Sequence, residues 1–194
     1  MVTAAAQGRD TRARLMDAAI SVIDERGWGA VTTRLVAERA GVRAGLVHYH
    51  FRSVDDLLID AALRMVRGLV DEVAGADGAG AGDPVAALLA SIAEFDDAAQ
   101  TRVFSEILLA ATRHDRLRAG LETVLAEFRA DLADRLRAEA TVADPEATAV
   151  VLVAALDGLV LHRLIDPNIR ALDAGPALRR LTGVQGSRNR QKAV

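Results

Sequence analysis

The stretch AGVRAGLVHYHFRS, Ala40 to Ser53, gathers two histidines, a tyrosine, a phenylalanine and two arginines around two glycines. Such side chains could serve a metal, a catalytic centre or DNA, and their spacing separates the three. His48 and His50 are two residues apart, which puts them on different faces of a helix, whereas metal pairs on helices sit at i, i+3 or i+4. No carboxylate adjoins them in sequence to complete a ligand set. Catalysis by His with Tyr would need a nucleophile and an orienting group. The four histidines, at 48, 50, 114 and 162, fall near no Gly-x-Ser-x-Gly, phosphate-loop or His-Glu-x-x-His pattern. Neither an enzyme nor a metal or other cofactor is expected.

DNA fits the whole face. Residues 33–40 read as a helix with Leu35, Val36 and Ala40 inward, Gly41 breaks it, and 43–50 read as a second, short helix. Two helices joined by a short glycine turn form a helix-turn-helix. The second is too short for a good core helix, yet it carries Arg43, His48, Tyr49 and His50. Such a helix can lie in a major groove about 12 Å wide, its first residues facing base edges while the preceding helix crosses the backbone. Ala44 and Gly45 add no bulk that would hold it away. The competing reading of His50 alone is a hydrogen-bonded structural histidine.

The net charge of −3 looks wrong for a nucleic-acid binder, but its distribution matters more. Residues 1–52 hold 8 Arg against 5 Asp and Glu, a balance of +3, so the remaining chain carries −6. A basic N-terminal part thus precedes an acidic remainder. The absence of cysteine excludes disulfide frameworks, thiol nucleophiles and Cys-based zinc sites. The opening MVTAAAQGRD has no apolar run of the signal-peptide kind, and a soluble cytoplasmic protein is expected.

Outward from the quoted stretch, everything reads as helix, so the fold class is all-α with about nine helices. Residues 10–26 place Leu15, Ala19, Val22 and Ile23 on one face, with Asp10 as N-cap and Gly27 as stop. Ser53 with Asp56 is a capping-box pattern before 54–74, which turns Leu57, Leu58, Ala61, Met65 and Leu69 inward. Ala74–Asp83, AGADGAGAGD, reads as a linker. Further helices are expected over 84–97, 101–112, 115–140, 145–165 and 174–182. Asp83-Pro84, Asp144-Pro145 and Gly175-Pro176 each set a cap residue before a proline at the first helical position. The domains read as 9–52, 53–183 and a disordered tail 184–194.

Gly27 to Leu58, GWGAVTTRLVAERAGVRAGLVHYHFRSVDDLL, resembles the DNA-binding segment of the TetR family of bacterial one-component regulators. The resemblance is ungapped and covers the first four helices. It implies an N-terminal three-helix DNA-binding domain joined through the fourth helix to a larger helical domain that binds a small molecule and forms a homodimer. Carried over by position, Thr33 and Arg34 touch phosphate and sometimes a base, Thr33 also capping its helix. Arg43, Ala44, Gly45 and Leu46 meet base edges, Arg43 suiting a guanine. His48 stands where tyrosine is frequent, Tyr49 and His50 clamp phosphates, and Phe51 is a core aromatic. The chain departs from the family at Val54, where a basic residue is frequent; Arg52 takes part of that load.

Trp28 is expected to pack between the first and fourth helices. The helix 145–165 is apolar nearly all round, but Asp157, His162 and Arg163 interrupt it as a membrane span. Its expected burial is a homodimer bundle with 174–182, through Leu156, Gly158, Leu159 and His162; the alternative is a purely intramolecular core. Candidate ligand residues are Phe95, Arg102, Phe104 and His114, polar and aromatic groups in a mostly apolar domain. The expected protein is a dimeric regulator of a palindromic double-stranded DNA operator, released by a small-molecule effector. An activator on the same fold, or an interaction protein that has lost DNA binding, stays open.

Overall fold

The computed structural model describes residues 4–75, Leu88, 98–138 and 141–183. Most of the expected linker, the expected helix 84–97 apart from Leu88, Phe95 within it, and the tail 184–194 lie outside the described residues. Among the described residues there are eight α-helices and no strand: α1 (Ala4–Arg26), α2 (Thr33–Arg39), α3 (Ala44–His50), α4 (Val54–Gly75), α5 (Ala98–Ala111), α6 (Asp115–Arg137), α7 (Pro145–Ile165) and α8 (Gly175–Thr182). Two 3-10 turns, Trp28–Ala30 and Pro167–Ala171, were not legible as helix.

The chain divides into two compact units. The first joins residues 1–67 with 102–121, and the second joins 68–101 with 122–194. In the first unit α1 packs on α2 and α2 on α3. Its core takes Leu15, Ala19, Val22 and Ile23 from α1, Val36 from α2, Val47 from α3, and Leu57, Leu58 and Ala61 from α4. Helical spacing selected these residues in α1 and α4; in α2 only Val36 of the expected set is buried, with Ala37 in place of the half-buried Leu35 and Ala40, and Val47 was not among the expected core. Met65 and Leu69 are only half-buried, while Ile59, Ala62 and Val66 are buried instead.

Local signals set most helix ends. Gly27, Gly41 and Gly183 adopt φ of 77°, 65° and 74°, the left-handed region where a side chain is strained. At Gly41 the turn is a Schellman motif: the Gly41 N–H reaches the Glu38 carbonyl at 3.1 Å and the Val42 N–H reaches Ala37 at 2.9 Å. Ser53 Oγ accepts from the Asp56 N–H at 3.0 Å, and Asp144 Oδ1 accepts from the Ala147 N–H at 3.0 Å.

Three starts differ from expectation. Helix α1 runs back to Ala4, so Asp10 is interior and caps nothing, because the preceding alanines favour helix. Helix α2 is capped by Thr32, whose hydroxyl accepts from the Leu35 N–H, and Thr33 is already helical. At α8 the cap position is Ala174, with Gly175 inside the helix.

The second unit is organised around α7. Ala149, Leu152, Val153 and Leu156 lie on one face and enter a cluster with Leu132, Ala133 and Leu136 of α6 and Leu178 of α8. The opposite face carries Val151, Ala154, Gly158, His162 and Ile165 at helical spacing. Val151 is 54% exposed and Ile165 82%. Helix α7 is long and apolar enough to cross a membrane by length and composition, yet its inner face is core. Leu156, expected at a subunit boundary, is therefore inside its own subunit, with Leu159 packed partly against the same cluster. Gly158 and His162 remain outward, and a Cβ at Gly158 would meet nothing within 4 Å.

Between the two faces, burial pushes the Asp157 carboxyl up to about 6, opposed by the charge of Arg129. A carboxyl whose folded value lies above its unfolded one binds its proton more tightly when folded. The stabilisation is complete below about pH 4 and lost as pH rises through about 6. Asp157→Asn is thus expected to gain about 1–2 kcal/mol at pH 7.5, allowing for residual exposure. Thermal melts of both proteins across pH 4–8 check it: the gap should close towards pH 4, and a constant gap would reject the desolvated carboxylate.

Candidate nucleic-acid interface

Helix α3 is presented rather than packed. Of its seven residues only Val47 is buried, at 1% exposure, and it anchors the helix to the core. Arg43, Ala44, Gly45, Leu46, His48 and Tyr49 are all exposed, and His50 is half-buried. Tyr49 stands 81% exposed, its ring edge-on to that of His50 at 5.1 Å. A large aromatic left so far in solvent on a short helix is costly to waste and suits a partner surface. Arg34 on α2 and Arg52 after α3 are exposed, while Thr33 is half-buried. Val54 begins α4 with no cation to offer, and Asp55 and Asp56 follow it.

Two α1 arginines hold this motif by its carbonyls. Arg14 donates to the Ala40 carbonyl at 2.8 Å, at the end of α2. Arg12 donates to the His50 carbonyl at 3.1 Å, at the end of α3. Both carbonyls belong to the last turn, where the helix dipole favours a cation. Arg12 also pairs with Asp60 of α4 at 2.5 Å and lies 4.3 Å over the Phe51 ring, which is buried as expected. Arg39 of α2 binds Ser21 and Glu25, and its hydrogen bond holds the Glu25 carboxyl below its ordinary value.

The candidate ligand residues within reach are differently employed. Arg102 places two nitrogens on Asp24 Oδ1, at 2.9 and 2.8 Å, and so ties α5 to α1. His114 stands before α6 with its ring 5.7 Å from that of Trp28. Trp28 is buried, and its backbone N–H donates to Glu106 of α5 at 2.8 Å. Phe104 is half-buried. Arg102 and His114 both stand near the C-terminal end of α1, against Asp24 and Trp28. Arg12, Asp60, Arg116 and Glu106 escaped sequence reasoning, because each pairs with residues far along the chain.

A family model described as bacterial regulatory proteins, tetR family, matches residues 15–63. A second, described as the tetracyclin repressor-like C-terminal domain, matches residues 77–184. The chain belongs to the TetR family. The HTH-type transcriptional regulator BetI of Rhizobium meliloti is 31% identical over 172 residues, 86% of this chain and 84% of that protein. A TetR-family structure from Streptomyces coelicolor A3 is 32% identical, covers 89% of this chain and 98% of that one, and has a TM-score of 0.70. The multidrug binding protein EbrR, solved with imidazole, is 30% identical, covers 91% and 92%, and has a TM-score of 0.66. This TetR member is a helix-turn-helix transcriptional regulator, not an enzyme.

Proposed function

We propose that the chain is a ligand-released repressor that binds a palindromic operator as a homodimer in the cytoplasm. The observation that carries this reading is the exposed recognition face from Arg43 to Tyr49, with Arg12 on the end of α3 and Arg14 on the end of α2. Two such helices, roughly 34–36 Å apart in a dimer, address successive major grooves. The outward face of α7 and the exposed Leu181 of α8 supply the apolar surface that a second copy covers. A small molecule held by the second unit shifts the balance between two spacings, a coupling of about 1–3 kcal/mol.

Gel-shift titration on DNA flanking the gene, at two salt concentrations and with nonspecific competitor, tests it. A discrete complex whose affinity falls steeply with salt is expected. A complex that competitor removes entirely, on this DNA and on fragments selected genome-wide, would sink the proposal. On such an operator Arg43→Ala is expected to relax preference at one position and cost about 1–3 kcal/mol, through loss of a bidentate guanine contact. Binding measured on every single-base variant checks this; unchanged preference everywhere would remove Arg43 from base reading.

A further inference from the structure

Asp60 is shared by two arginines from opposite ends of the first unit. Its Oδ2 takes Arg12 of α1 at 2.5 Å, and its Oδ1 takes Arg116 of α6. Arg116 also grips Asp56, one turn earlier on α4. Arg12 in turn divides its guanidinium, one nitrogen on Asp60 and the other on the His50 carbonyl that ends α3. The four groups form one chain of charge-assisted bonds from α6 to the last turn of the recognition helix. The Asp60 side chain is 22% exposed and that of Arg12 39%, so the link between them is only partly screened by solvent.

We propose that Arg12, Asp60 and Arg116 are positioning residues for DNA binding, with Arg116 controlling how α3 is held. The physical reason is competition for one fork. A guanidinium facing a free carboxylate prefers two parallel bonds to it. Arg116 occupies Oδ1 of Asp60, so Arg12 bonds Asp60 once and keeps its second nitrogen for His50. Withdraw Arg116, and Arg12 can close both nitrogens on Asp60. The His50 carbonyl then loses its donor and α3 its C-terminal cation. Any movement of α6 at Arg116 is thereby read out at the recognition helix without a change in its fold. The inference rests on α3 being the DNA-reading helix.

Tyr49 is the chain's single tyrosine, so fluorotyrosine labelling places one fluorine resonance on α3. In DNA-free protein, Arg116→Gln is expected to shift that resonance with little change in melting temperature, because Arg116 itself is half exposed and ion pairs of this kind contribute little stability. Affinity for fragments selected by the parent protein is expected to fall about three- to tenfold, the loss of one charge-assisted bond. Arg116→Lys should restore part of both. In an Arg12→Gln background, Arg116→Gln should add nothing, since the path is already cut. Should Arg116→Gln fail to fold, Asp60→Asn carries the same test. An unmoved resonance in these variants, or additive losses in the Arg12 background, overturns the proposal. A shifted resonance in a protein that binds no DNA fragment would uphold the link from α6 to α3 and sink the DNA reading instead.

Discussion

If the proposed dimer forms through α7, Gly158→Glu should give monomers and lower affinity for a palindromic operator on the order of 10²–10⁴-fold, the advantage that joining two half-site contacts confers. Gly158 lies on the outward face of α7 with Val151, Ala154, His162 and Ile165, where an added Cβ touches nothing in its own subunit. The subunit should not suffer, since glycine costs a helix interior about 1 kcal/mol relative to good formers and glutamate is one. Across a subunit boundary the same change sets two like charges in an apolar contact, where desolvation makes them expensive. Light scattering with gel shift decides it. A variant that stays dimeric places the boundary elsewhere; a monomer with undiminished affinity would mean that one subunit suffices.

Leu152→Ala should act on the other face of the same helix and in the opposite manner. Leu152 is fully buried among Leu132, Leu136, Ala149, Leu156 and Leu178. Truncation there removes transfer energy and leaves a cavity, about 2–5 kcal/mol in comparable cores. Thermal or urea unfolding should show that loss at every protein concentration. A loss confined to low concentrations would mean that Leu152 supports association, not the subunit core. The pair of variants, two turns apart at most, separates the two uses of one helix.

The helices were legible because their causes are local. Apolar residues at helical spacing, Ser53 and Asp144 as caps, and glycines 27 and 41 as stops act within a turn or two. The helix-turn-helix was legible for the same reason, and its exposed face was found where the spacing put it. The errors at starts are local too: Thr32 and Thr33 are both threonines, and only backbone geometry says which is outside the helix.

Short-range periodicity was enough for the helical class, the order of the described α-helices and the solvent-facing recognition helix. Packing against α6 and α8 selects which side of α7 is inside. A helix apolar nearly all round has no preferred face until neighbours cover one, so Leu156 and Gly158 could not be told apart beforehand. Packing also decides what the charged side chains hold. Arg12 reaches Asp60 across 48 residues, Arg116 reaches the same carboxylate across 56, and Arg102 spends itself on Asp24 across 78. Long flexible arginines can meet any acid within reach, and reach is set by packing, not by spacing along the chain.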